Sequence, residues 1–273
     1  DGHFPGRGSK PTPETLRDLR AFVADANEDV ERPGRPNDGN GDDGDEDAEG
    51  FAFGIGHDGD ADRIVIIDAD GEVVHEDTVL ALLAELYTRE SDAADPVVVT
   101  TPNASGRIDE RVNEAGGRVE RVRLGALHEG IAAVRADAEP AGSDGDTRVV
   151  FAAEPWKHVH VALGEWIDGV ASAAVIARLV ADVGLEALRD PITERPYRKV
   201  SVDCPDDAKA AAMNRLETTL PDAFPDATVD TDHGVRLEFA DASWTLVRPS
   251  GTEPYVRVYA ESDDVDELVE SVA

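Results

Sequence analysis

The 273-residue sequence carries 59 acidic side chains against 26 Lys and Arg, a net charge of −33. That balance excludes a nucleic-acid-binding surface, which needs clustered Lys and Arg. No apolar run approaches the ~20 residues that span a bilayer, and Cys204, the single cysteine, leaves no internal disulfide or thiolate metal site.

Lys10, Lys157, Lys199 and Lys209 are the only lysines. An acidic, lysine-poor surface over a regular apolar pattern predicts a cytoplasmic protein adapted to concentrated salt, whose counterions screen self-repulsion.

In chain order, residues 12–23 read as a helix: Thr12 caps it, Pro13 suits its first turn, and Leu16, Leu19, Phe22 and Val23 share a face. From Asn27 to Gly50 the composition is almost all Asp, Glu, Gly, Asn, Pro and Arg without core periodicity, which predicts a loop. Its Asp42, Asp43, Asp45, Glu46 and Asp47 read as a solvated acidic stretch rather than a metal site. Strands are expected at 51–56 and 64–67, then a helix over 78–89 and a strand at 97–100. A helix over 108–115, ended by Gly116-Gly117, precedes a strand at 119–124. A helix over 128–138, a strand at 149–152 and a helix over 167–183 complete an alternation that indicates an α/β layer structure. Beyond Pro191 strands cluster at 198–203, 235–239, 244–247 and 256–261, with helices over 208–220 and 265–272, as in a small α+β unit.

Two loops carry chemistry. In His57-Asp58-Gly59-Asp60-Ala61-Asp62-Arg63, three carboxylates alternate between two apolar strands. Their repulsion is relieved by a hard divalent cation, and oxygen-only ligands favour Mg²⁺, Ca²⁺ or Mn²⁺. An EF-hand does not fit, because Arg63 stands where that loop needs Gly. In Arg248-Pro249-Ser250-Gly251-Thr252-Glu253-Pro254, Gly251 lets backbone N–H groups approach an anion, the hydroxyls donate, and Arg248 supplies a planar fork for phosphate. Arg257 lies on the strand beyond.

Together, in this order, these loops resemble the α-D-phosphohexomutases, the phosphoglucomutase and phosphomannomutase family. The resemblance covers nearly the whole chain, with 27–50 looking like an acidic insertion. It implies a fold of consecutive α/β sandwich domains followed by a small α+β C-terminal domain. Residues 1–74 would be the remainder of the second domain with the metal loop, 75–188 the sugar-binding third domain, and 189–273 the phosphate-binding fourth. Carried over residue by residue, it implies that Asp58, Asp60 and Asp62 bind Mg²⁺ and that Arg63 sits beside the transferring phosphoryl group. Arg248, Ser250, Gly251 and Thr252, with Arg257 nearby, would hold the phosphate that is not transferred. Phe151-Ala152-Ala153-Glu154-Pro155-Trp156-Lys157-His158 stands where the family usually has Gly-Gly-Glu-x-Ser-Gly-His. It implies Glu154 on sugar hydroxyls, with Trp156 stacking on a sugar face or narrowing the pocket and His158 in the substrate site. Arg123, in Arg121-Val122-Arg123-Leu124-Gly125, would neighbour a phosphate or act in acid–base chemistry.

The family's phosphoryl carrier is a serine in a Ser-His-Asn loop of the first domain, and no such motif occurs in this sequence. The expectation is a chain lacking that serine domain. The implied function is Mg²⁺-dependent phosphoryl transfer between the 1- and 6-positions of a hexose phosphate. A non-catalytic sugar-phosphate binder and an Asp-nucleophile phosphatase are the rival readings.

The charge carries a prediction. Self-repulsion grows as the Debye length lengthens from about 3 Å at 1 M to about 10 Å at 0.1 M salt. The melting temperature is expected to rise steadily from dilute to multimolar KCl; a flat profile in a thermal scan would refute salt adaptation.

Overall fold

The computed structural model describes residues 6, 8–31, 50–138 and 146–273. The acidic side chains at 42–47 and the opening residues 1–5 lie outside them, so the readings made there have no structural counterpart.

Helix α1 spans Arg17–Glu31, displaced from the expected 12–23 and running past Asn27, where a loop was predicted. Asn27 explains the extension. Its amide donates to the carbonyls of Phe51 (2.9 Å) and Ala69 (2.7 Å) and accepts from Phe51 N–H (2.6 Å), tying the helix to the next segment. Strands β1 (Gly54–His57) and β2 (Ile64–Ile67) form an antiparallel hairpin, His57 opposite Ile64, so the Asp-rich loop is its turn. Phe51, expected in β1, instead packs its ring on Phe22.

A four-stranded sheet follows, ordered β4-β3-β5-β6, from β3 (Asp95–Thr100), β4 (Arg118–Arg121), β5 (Thr147–Glu154) and β6 (Lys157–Val159). β3 is parallel to β4 and β5, and β6 returns antiparallel to β5. Alternation along β3 builds two cores. Val98 faces helices α2 (Glu76–Glu90), α3 (Arg107–Glu114) and α5 (Gly169–Val183), whereas Val97 and Val99 face α4 (Leu127–Asp137). A short helix α6 (Leu185–Arg189) follows Gly184. Neither β6 nor α6 was expected; each is too short to show a period.

The C-terminal part is a five-stranded antiparallel sheet, ordered β7-β11-β10-β9-β8, from β7 (Tyr197–Asp203), β8 (Thr228–Asp230), β9 (Val235–Glu238), β10 (Trp244–Pro249) and β11 (Tyr255–Glu261). One face carries Val200, Val202, Val235, Leu237, Val247, Val256 and Val258 against helices α7 (Asp206–Ala223) and α8 (Val265–Val272). The fold is thus mixed α/β with an α+β C-terminal unit, as expected. Among the described residues, no helix is long and apolar enough to cross a membrane.

The other face of that sheet meets the α/β layers through buried polar groups. Arg107 and Glu261, each 1% exposed, pair at 2.8 Å. Arg107 also donates to Thr78 Oγ1 (2.8 Å), and Trp244 Nε1 donates to Glu261 (3.2 Å). Arg236 lies over the Trp244 ring and donates to the carbonyls of Pro102 (2.5 Å) and Ala104 (3.2 Å). Beside them, burial lifts Glu76 to about 7 and Asp77 to about 8.

A second buried network sits under β6. Ser172 Oγ donates to the Asp168 carbonyl (3.0 Å), which spends its one proton. It therefore accepts from His158 Nδ1 (2.8 Å) and His160 Nε2 (2.7 Å), and His160 Nδ1 accepts from the Tyr87 hydroxyl (2.7 Å). His158 is 1% exposed and supports the hairpin from beneath.

Two outcomes follow from these networks. Glu261→Ala strands a buried guanidinium and is expected to cost about 3–5 kcal/mol, read by denaturant titration; a loss below about 1 kcal/mol would mean that the pair holds nothing. His158, pushed down to about 3 by burial and the neighbouring His160, stays neutral in the folded protein when the unfolded chain protonates near 6.5. Stability from this group is therefore complete above about 6.5 and lost as pH falls toward 3, at up to about 1.4 kcal/mol per pH unit. His158→Asn is expected to flatten that slope, and equal slopes in a pH series would contradict it.

Candidate active site

The β1–β2 turn is tight enough to push Ala61 to φ 57°, a left-handed conformation that a neighbouring contact must hold. Gly169 N–H, at the start of α5, donates to the Ala61 carbonyl (3.1 Å). A Cβ on Gly169 would stand 2.7 Å from that oxygen, so only glycine lets the helix end approach. On the other side, Ile64 N–H donates to the Trp156 carbonyl (3.1 Å) and Arg63 bridges to Lys157. The Asp-rich loop is thus held between the β5–β6 hairpin and the α5 terminus.

In this setting Asp58, Asp60 and Asp62 each offer one oxygen within 4.8 Å of the others. Burial lifts Asp58 above the usual carboxylate range, with the charges of Asp62 and Asp60 adding to the rise against the Arg63 N–H bond. Asp62 is driven the other way. Burial opposes its ionisation, but Lys157 Nζ at 2.6 Å, the Asp58 hydrogen bond and Arg63 together hold it low. Asp62 Oδ1 is buried and has no hydrogen-bond partner. A converging oxygen set with an orphaned lone pair fits a hard divalent cation. Arg63 Nε lies 3.5 Å from Asp58 and 3.7 Å from Asp62.

The β5–β6 hairpin turns through Pro155 and Trp156, with Glu154 opposite Lys157. Trp156 has φ 75°, the left-handed corner that such a turn demands after proline. Its ring packs with Leu16, Leu19, Val65, Ile67 and Val73, so it is a wall of that cluster rather than an open stacking platform. Glu154 Oε1 accepts from Gly125 N–H at 2.5 Å, which joins the β5–β6 hairpin to the Arg123 loop.

The segment 248–254 closes the β10–β11 hairpin. Arg248 stands directly opposite Arg257, so both guanidinium groups lie on one face. Both Nε atoms are buried without partners. Arg248 donates to the Tyr259 hydroxyl (3.2 Å), and Lys199 Nζ lies 5.5 Å from the Tyr259 ring. Burial would raise the Tyr259 pKa, yet Arg248, Arg257 and Lys199 pull it below its ordinary value. Like charges crowded this way fit an anion. Ser250 is buried, and its Oγ accepts from Glu253 N–H (3.3 Å), shaping the loop; Gly251 and Thr252 are exposed at its tip.

Lys209 was not singled out in the sequence. From α7 it donates to the carbonyls of Ser250 (2.7 Å) and Glu253 (2.6 Å), turning loop oxygens inward. Its only sequence signal was rarity. Arg123 is exposed and joins Leu124, His233, Gly234 and Arg248 around a cleft of about 400 Å³. A cavity of about 450 Å³ lined by Tyr87, Arg135 and Arg148 contains none of the motif residues.

Comparison with known proteins finds similarity along most of the chain. Residues 200–273 match the family described as phosphoglucomutase/phosphomannomutase, C-terminal domain. A phosphopentomutase from Thermococcus kodakarensis is 37% identical over 96% of this chain and 50% of its own length. A probable phosphoglucosamine mutase from Methanopyrus kandleri is 36% identical over the same shares. A phosphoglucomutase/phosphomannomutase family protein from Burkholderia thailandensis shares the fold, with a TM-score of 0.71, 22% identity, and coverage of 99% of this chain and 51% of that one. The chain spans about half the length of the curated relatives it matches, and over that span it is similar to proteins of the phosphohexomutase family.

Proposed function

We propose that this chain supplies the metal, sugar and distal-phosphate parts of a sugar-phosphate mutase, with the phosphoryl carried by a phosphoserine outside these 273 residues. The observation that supports this most is the shared cleft: Arg123 from the α/β layers and Arg248 from the C-terminal sheet line it together. One substrate with a phosphate at each end suits a site with positive charge on both walls.

In this reading, residues 1–74 carry the metal loop, 75–188 the sugar loop and 189–273 the phosphate loop. Asp58, Asp60 and Asp62 hold Mg²⁺, which supplies neutralisation of charge developing on the transferring phosphoryl oxygens. Arg63 orients that group from beside the carboxylates. Glu154 grips sugar hydroxyls while its contact with Gly125 keeps the Arg123 loop in place. Arg248, Ser250, Gly251 and Thr252 anchor the phosphate that stays, and Arg257 reinforces the charge. The protein positions and stabilises; it offers no carrier of its own.

A hexose phosphate is the substrate class proposed from the motifs. The similarity to proteins named phosphoglucosamine mutase and phosphopentomutase adds glucosamine and pentose phosphates to the candidates.

The chain alone is expected to bind glucosamine 6-phosphate in concentrated KCl and Mg²⁺ without interconverting it. Arg248→Ala is expected to weaken that binding by roughly 10- to 150-fold, the equivalent of about 1.5–3 kcal/mol for a charge-assisted bond. Titration calorimetry reads the first result and a coupled mutase assay the second. Sustained turnover that vanishes in Asp58→Asn would place a carrier within this chain and overturn the proposal.

A further inference from the structure

Lys157 opens strand β6 at the β5–β6 turn. Its ammonium is lodged against the metal loop, with Nζ 2.6 Å from Asp62 Oδ2 and both side chains about one-quarter exposed. The backbone keeps it there: Arg63 and Lys157 form a β-bridge, and Ile64 N–H is bonded to the residue before the lysine. Lys157 is therefore a fixed neighbour of the carboxylates, not a surface chain that drifted in. Its position opposite Glu154 in the hairpin register puts both side chains on one face of the ribbon. One ammonium thus has two destinations within reach of its flexible stem: the Asp cluster, or the face on which Glu154 lies.

Charge decides between them. Three carboxylates within 4.8 Å need positive charge nearby, and Arg63 approaches no closer than 3.5 Å. Lys157 supplies the shortest cationic contact. A divalent ion seated on the same oxygens would compete for Asp62 and repel the ammonium a few ångströms away.

We propose that Lys157 is the built-in counter-ion of the Asp58–Asp60–Asp62 cluster, displaced when a divalent cation enters and then turned to the substrate phosphate on the Glu154 face. The second half rests on the mutase reading above; the first does not. Metal entry and substrate capture are then linked through one side chain, because the ion releases a phosphate ligand as it binds.

The test is calorimetry on the 273-residue chain in concentrated KCl, with Mg²⁺ alone and then with glucosamine 6-phosphate at saturating Mg²⁺. Lys157→Ala and Lys157→Gln, checked by circular dichroism for retained fold, are compared with wild type and with Lys157→Arg, which keeps the charge. Mg²⁺ is expected to bind about tenfold more tightly to the two neutral variants, as removal of an adjacent like charge requires. Lys157→Arg is expected to stay near wild type. With Mg²⁺ saturating, the neutral variants are expected to bind the sugar phosphate about tenfold more weakly. Equal or weaker Mg²⁺ binding in both neutral variants would overturn the counter-ion role. Tighter Mg²⁺ with unchanged sugar-phosphate binding would overturn the hand-over alone. Tighter Mg²⁺ in variants of a chain that binds no sugar phosphate would sustain the counter-ion and instead sink the mutase reading.

Discussion

The buried pair between Arg107 and Glu261 is the interaction on which the rest of the arrangement turns. Two ions removed from water are costly, and they are tolerated when remaining donors and acceptors are filled. Here Thr78 and Ser105 accept from the guanidinium, and Trp244 donates to the carboxylate. The pair therefore specifies one docking of the C-terminal sheet on α2 and α3. Shifting β11 by one residue would turn Glu261 to the apolar face and leave Arg107 without its partner. That docking sets Arg248, on the neighbouring strand, across the cleft from Arg123.

Much of this was legible in the sequence. The alternation of strands and helices gave the layer order, and the spacing of Asp58, Asp60 and Asp62 located a loop of converging oxygens. Residue chemistry alone drew attention to Arg248 and Ser250, which lie in the turn that closes the β10–β11 hairpin. What stayed hidden was long-range. Nothing near Arg107 announces Glu261, and nothing near Lys209 announces the carbonyls of Ser250 and Glu253. The packing of Trp156 on the Leu16 cluster and the burial of His158 stayed hidden for a related reason. A motif position says that a residue lies near a site, but not whether its side chain faces the site or the core beneath.

Two groups of cations in this acidic chain lie beside the candidate site. Arg248, Arg257 and Lys199 surround Tyr259, while Arg63 and Lys157 flank the carboxylate loop. Crowding like charges costs stability in the empty protein, and a protein spends such strain where a ligand relieves it. The two clusters are complementary in sign: one is an excess of acid, the other an excess of base.

The scarcity of lysine has a practical corollary. Primary amines are the targets of acylating and cross-linking reagents, and this chain offers them at only four side chains. Lys10 and Lys199 are exposed, Lys157 is partly covered, and Lys209 is buried against the anion loop. Each amine therefore reports a different piece of the molecule, and a peptide map of acylation rates becomes a footprint of the site with almost no background from the surface.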